Sequence, residues 1–264
     1  MKAVENQRIE SLARELYEAD VSCLPVEALT ERYAEITNEE AYKVQLAGMA
    51  LRLQAGHILV GKKIGLTSKA MQNALGVFEP DYGYITDRMV AMEGEPLSMA
   101  QFISPKVEAE IAFILKADLP GPGITVSQVL QATAGIMPAL EIIDTRIKNW
   151  KIKIQDTIAD GASIGRIVLG GRMTPVDAYN LKTLGLVLEK NGEVVATAAG
   201  AAVLGHPANA VVWLGNKLAA YGMMLKAGDI VMSGSLTAAC PMAEGDYIQA
   251  NFADIGSVSV KFVK

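Results

Sequence analysis

The sequence holds only two cysteines, Cys23 and Cys240, far apart and without CxxC spacing. Both read as reduced thiols, and such a pair makes a poor basis for a zinc site. Histidine is equally scarce: His57 and His206 are the whole supply, and no GxSxG elbow accompanies either. The signature of a Ser-His-Asp hydrolase is therefore missing. His57 follows Gln54-Ala55-Gly56 and reads as a polar residue closing a helix, whereas His206, at a loop-to-helix junction before Pro207, leans slightly toward a site role. No basic stripe with interleaved aromatics marks a nucleic-acid surface, and the formal net charge is −5. No apolar run is long enough to span a bilayer, and the N-terminal MKAVENQRIESLARELYEA carries acids where a signal peptide needs apolar residues. The expectation is a cytoplasmic protein that engages neither membrane nor nucleic acid.

What is present is a chain of 264 residues, 51% hydrophobic, enough for a sizeable core. Residues 4–19 place Ile9, Leu12, Leu16 and Tyr17 at helical spacing. Thr37 with Glu40 three residues on is a capping box, Tyr42, Leu46, Met49 and Leu53 follow at helical steps, and Gly56 ends the element. From Val60 the texture turns to short β-type runs between Gly, Pro and Asp clusters. Within EKNGEVV, Asn191-Gly192 suits a primed hairpin turn. Helices are expected near 125–134 and from Pro207 to Tyr221, the latter with proline in its first turn and Gly222 after it. The pattern predicts an α+β fold: an N-terminal helical region over 1–59 and a mixed, mainly β core over 60–264.

The acids carry the first chemical signal. Glu108 and Glu110 lie in PKVEAEIAFILK, and on a strand residues two apart share a face. Ala112 and Ile114 continue that face, while Val107, Ala109, Ile111, Phe113 and Leu115 occupy the other. On spacing alone the pair reads as the wet side of an amphipathic strand; the apolar continuation argues mildly against this. A third acid, Glu141, sits among apolar residues in MPALEIIDTR. Converging carboxylates without matching arginines suit a hard divalent cation, magnesium or manganese.

At these residues the sequence resembles the 2-hydroxypentadienoate hydratase and 4-oxalocrotonate decarboxylase group of the fumarylacetoacetate hydrolase superfamily. The resemblance rests on GKKIGLTSKAMQ (61–72), PDYG (80–83), PKVEAEIAF (105–113), PALEIIDTRI (138–147), DTIADGAS (156–163), GAAVLGHP (200–207) and GDIVMSGS (228–235). It implies a compact, mixed β fold with a pocket at one end, homo-oligomeric assembly, and a possible complex with a pathway decarboxylase. Glu108, Glu110 and Glu141 match the family's metal carboxylates. Lys63 matches a lysine near the substrate, and Asp81 and Ser163 match further active-site positions. Lys62, pointing the other way, reads as a solvated side chain. One departure is Gly161, where the family usually has asparagine.

The resemblance implies a metal-dependent hydratase of 2-hydroxypenta-2,4-dienoate, a small 2-hydroxy-dienoic acid. Near a cation, Lys63 would have its pKa lowered and could shuttle a proton, and Asp81 could position water. The chief alternative is 4-oxalocrotonate decarboxylation. A hydratase of a longer dicarboxylate, an acylpyruvate hydrolase and a non-catalytic partner remain further readings. Asp81 in PDYG favours hydration, because decarboxylases of this group resemble Pro-Ile-Tyr-Gly there. The bland reading of Asp81 is a turn residue before Gly83.

Overall fold

The computed structural model describes residues 2–264. Its helices are α1 (Lys2–Ser22), α2 (Leu29–Arg32), α3 (Asn38–Gln54), α4 (Lys69–Leu75), α5 (Val126–Ala132), α6 (Ile154–Ala159) and α7 (Pro207–Ala219). The strands run from β1 (Leu59–Gly65), β2 (Asp81–Thr86), β3 (Val90–Met92) and β4 (Leu97–Ser98) to β5 (Lys106–Leu115), β6 (Thr133–Ile143) and β7 (Ile164–Leu169). They continue with β8 (Gly185–Lys190), β9 (Glu193–Ala199), β10 (Ile230–Met232), β11 (Cys240–Pro241), β12 (Tyr247–Phe252) and β13 (Gly256–Val263).

One mixed sheet follows the order β2-β1-β10-β5-β6-β7-β3, with β11 against β5; a second follows β4-β13-β12-β8-β9. The α+β expectation holds. One hydrophobic core runs from Ile9 and Leu16 of α1 through Ile111 and Leu140 of the first sheet to Val258 and Phe262 of the second. Burying such apolar area is the main drive to this arrangement.

Local signals placed many elements. Thr37 caps α3, with Glu40 completing the box, and Gly56 follows at φ 83°. Asn191 and Gly192 both take positive φ between β8 and β9, as the primed turn requires. Pro207 opens α7. Three short helices, α2, α4 and α6, escaped the periodicity, being too brief for a convincing apolar stripe. The buried face of α3 is also rotated from expectation: Ala41, Tyr42, Val44 and Gln45 point inward, while Leu46 and Leu53 are exposed. Gln45 explains this. Its Nε2 donates to the carbonyls of Tyr82 (2.8 Å) and Ile158 (2.7 Å), so a polar residue belongs to the core face.

Candidate active site

Strand periodicity puts Glu108 and Glu110 on one face of β5, and antiparallel register sets Glu141 of β6 directly across from Glu108. The three carboxylates offer oxygens that all lie within 4.8 Å of one another. Glu110 and Glu141 are fully buried, whereas Glu108 is partly exposed. The wet-strand reading of Glu108 and Glu110 therefore fails. Glu110 Oε2 accepts from Gly234 N–H at 2.8 Å, but Glu110 Oε1 and both Glu141 oxygens have no aligned hydrogen-bond donor.

Lys63 enters from β1. Its Nζ donates to the Ala162 carbonyl at 2.8 Å and stands 3.0 Å from Glu141 Oε1, a close ion pair but not an aligned hydrogen bond. Asp81 begins β2, two residues before Gly83, which pairs with Lys63; Asp81 itself pairs with Gly65. The turn reading of Asp81 is thereby excluded, because Asp81–Thr86 is strand. Asp81 is buried, and its Oδ1 has no partner. Gly65 makes room for this approach: a Cβ there would lie 2.2 Å from Asp81 Oδ1 and 3.5 Å from Lys63 Nζ. Gly83 likewise admits the loop above it, since its Cβ would meet the Gly161 carbonyl oxygen at 2.1 Å.

Electrostatics follow from this crowding. Burial, then the Glu141 charge, pushes the Glu108 carboxyl up to about 7 against the pull of Lys63. Burial and the neighbouring carboxylates raise Glu110 well above the ordinary range, and burial raises Glu141 despite Lys63. Burial also raises Asp81, with Lys63 and the Thr157 hydroxyl opposing it. For Lys63, burial disfavours the charge, but Glu141, Asp81, Glu108 and Glu110 together outweigh it and hold the amine above its ordinary value. The chain's own charges thus run opposite to the lowering expected for Lys63. Three carboxylates against one lysine, with orphaned buried oxygens, fit a hard divalent cation held by Glu108, Glu110 and Glu141.

These groups open into a cleft of about 210 Å³. Lys63, Asp81, Glu108 and Ser163 line it, so the structure brings these predicted residues together, with Glu110 and Glu141 behind. Ser163 is buried, and its hydroxyl lies 3.4 Å from Asp160 Oδ2. Residues that sequence reasoning did not single out also line the cleft: Thr157, Lys106 and Trp150, with the Lys106 ammonium 3.9 Å from the Trp150 ring centroid. Thr157 and Lys106 stood within quoted motifs, but nothing in spacing distinguished them. The Ala162 carbonyl was beyond side-chain reasoning altogether.

Two expectations outside the cleft, for Lys62 and His206, resolve differently, while His57 follows the end of α3 as expected. Lys62 is buried, not solvated, and its Nζ pairs with Asp229 Oδ2 at 2.8 Å. Opposite sides of β1 are both covered here, so pointing away from the site does not mean pointing at water. His206 is the N-cap of α7, its Nδ1 accepting from Ala208 N–H, and it does not line the cleft. His57 contacts Thr86 at 3.0 Å, away from the carboxylates. Both cysteines are free, and among the described residues no helix is long and apolar enough to cross a membrane.

Residues 61–263 match the Fumarylacetoacetate (FAA) hydrolase C-terminal family. Over 262 residues the chain is 43% identical to 2-hydroxyhexa-2,4-dienoate hydratase of Comamonas testosteroni, covering 98% of this chain and 99% of that protein. Over 216 residues it is 50% identical to 2-hydroxypent-2,4-dienoate hydratase of Pseudomonas putida, covering 81% and 97%. The solved structure of 4-oxalocrotonate decarboxylase from Pseudomonas putida, complexed with magnesium and adipate, superposes with a TM-score of 0.95 at 39% identity, covering 97% of this chain and 98% of that one. With a matched span that contains Lys63, Asp81, Glu108, Glu110, Glu141 and Ser163, the chain belongs to the fumarylacetoacetate hydrolase family.

Proposed function

We propose that this protein is a divalent-metal-dependent hydratase, a hydro-lyase that converts 2-hydroxypenta-2,4-dienoate to 4-hydroxy-2-oxopentanoate in the breakdown of aromatic compounds by ring meta-cleavage. The observation that carries the reading is Asp81: a buried carboxylate with a free oxygen, facing the cleft beside Lys63. Hydration needs a polar group to orient water and take its proton. Loss of a distal carboxylate needs no such group, and a nearby charge would repel it.

Bound by Glu108, Glu110 and Glu141, magnesium or manganese would supply a Lewis acid for the substrate's carboxylate and enol oxygens. Lys63, its Nζ 3.0 Å from Glu141 Oε1, places a hydrogen-bond donor beside that position. The enol proton is lost and a proton reaches carbon 5, giving a conjugated ketone. Asp81 then orients water as its oxygen bonds to carbon 4, and the second proton ends on carbon 3. The Ser163 hydroxyl and the Thr157 side chain form part of the wall around the reacting atoms. Homo-oligomeric assembly and association with a pathway decarboxylase belong to the same reading; sedimentation of the protein alone and mixed with such a decarboxylase reads both.

One observation favours a second reading, a longer dicarboxylic substrate or its decarboxylation. Lys106, stacked on Trp150, places a cation in the cleft where a distal carboxylate could bind, and the magnesium-bound relative holds adipate. Purified protein with magnesium, given freshly generated 2-hydroxypentadienoate or the 2-hydroxymuconate/4-oxalocrotonate pair, separates the two by product. The dienoate should be hydrated, and 4-oxalocrotonate should release little carbon dioxide. Asp81→Asn should lose most hydration, on the order of 100-fold for a general base, while still binding Mn2+ and oxalate. Efficient carbon dioxide release with the dienoate left intact would overturn the hydratase reading.

A further inference from the structure

The turn that receives Lys63 is an unusual piece of backbone. Gly161, Ala162 and Ser163 take φ of 66°, 55° and 55°, three consecutive left-handed residues of which two carry a Cβ. Such a conformation persists only where its surroundings enforce it. Arg146 does much of the enforcing. Its guanidinium is buried and donates from Nε to Asp160 Oδ1 (2.5 Å), from Nη2 to the Asp160 carbonyl, and from Nη1 to the carbonyls of Asp144 and Ile164 (2.7 Å each). Both ends of the turn, residues 160 and 164, are therefore tied to one rigid fork. Asp160 Oδ2 is held in turn by Arg146 N–H (3.1 Å) and the Thr145 hydroxyl (2.9 Å). Between these anchors the Ala162 carbonyl accepts from Lys63 Nζ at 2.8 Å, the hydrogen bond that aims the ammonium beside Glu141.

We propose that Arg146 is a positioning residue for catalysis: through Asp160 it clamps the 160–163 turn and so fixes the carbonyl that orients Lys63. Arg146 touches neither the cleft nor the carboxylate cluster. Its outer side reaches Asp20 of α1 at 3.6 Å, and Asp20 pairs with Arg52 of α3 at 2.8 Å, which links the helical region to the same turn. The inference rests on the proposed hydratase activity for its kinetic test and on geometry alone for its structural one.

The experiment is a double-mutant cycle on the full chain, with magnesium, using Arg146→Lys, Lys63→Met and the double variant. Arg146→Lys keeps the charge but loses the fork. It should lower kcat on the order of 10-fold while KM and Mn2+ affinity move by less than about 3-fold. In the Lys63→Met background the same substitution should change kcat by less than about 2-fold, because its effect passes through Lys63. Equal losses in both backgrounds, or an unchanged kcat in folded Arg146→Lys, would overturn the proposal. Asp160→Asn enters the same cycle as a second route to the clamp; if neither ion-pair variant accumulates, Thr145→Val, which removes one neutral bond to Asp160, replaces them. A crystal structure of the variant supplies the readout independent of activity. An Ala162 carbonyl displaced from Lys63 upholds the clamp, and an unmoved turn overturns it. A wild type inactive on every substrate would sink the hydratase reading and leave this structural result to decide the clamp.

Discussion

Glu108→Gln should stabilise the metal-free protein while abolishing turnover, the reverse of what loss of an ordinary ion-pair partner does. Glu108 faces Glu141 across β5 and β6, and burial followed by that charge lifts its carboxyl from 4.5 to about 7. Because the folded value is the higher, ionisation weakens the fold. The penalty is absent well below 4.5, grows between 4.5 and about 7, and is fully present above that. At about 1.4 kcal/mol per pH unit the gap is worth about 3 kcal/mol. Partial exposure of Glu108 trims the measurable part to roughly 1–3 kcal/mol. At roughly 2–4 °C per kcal/mol, Glu108→Gln should raise the Tm of EDTA-treated protein by roughly 2–12 °C at about pH 8.5. At about pH 4.5 the difference should nearly vanish. Mn2+ should shrink that gap: at about 100 times Kd it adds ~2.7 kcal/mol to the wild type, and the variant, short of one ligand, gains less. Scanning calorimetry at both pH values, with EDTA or Mn2+, reads all four states. A variant less stable than wild type at the higher pH in EDTA, or equally stabilised at both, would show that Glu108 is a satisfied polar group and not one of a mutually repelling set.

Lys63→Met should lower kcat more than it raises KM, by on the order of 100-fold, since a donor beside the developing charge acts mainly in the transition state. Lys62→Met should leave kcat of the folded protein near wild type but destabilise it by about 3 kcal/mol, because Asp229 loses its buried partner; denaturant unfolding compares the two. Gly83→Ala drives a Cβ to 2.1 Å from the Gly161 carbonyl oxygen, so it should cost both stability and turnover, and an unaffected variant would mean the turn above β2 is free to move. Gly161→Asn meets only Ile164 Cγ2 at 3.7 Å and asparagine tolerates φ of 66°, so Tm should hold while substrate KM or chain-length preference shifts; unchanged kinetics would make the glycine a neutral departure.

Several features were legible without a structure because their causes are local. The period of two along a strand put Glu108 and Glu110 on one face, the Thr37–Glu40 box opened α3, and Asn191-Gly192 turned the β8–β9 hairpin. The quoted motifs, taken in order, pointed to the family that the matched span then showed. The inward face of α3 was misjudged because Gln45 counts as polar in a periodicity and yet spends its amide on core backbone carbonyls.

Tertiary structure alone decided which groups met. Glu141 is a cluster member because β6 pairs with β5 in a register that sets it opposite Glu108, and register is settled by the packing of whole strands. Lys62 is buried because Asp229, 167 residues away, arrives on β1's other side. Lys63 is aimed beside Glu141 because several strands and a left-handed turn converge on it. Periodicity and turn chemistry reach only a few residues along the chain. Burial and charge environment are sums over neighbours in space, so the residue types announced the chemistry and the fold assembled it.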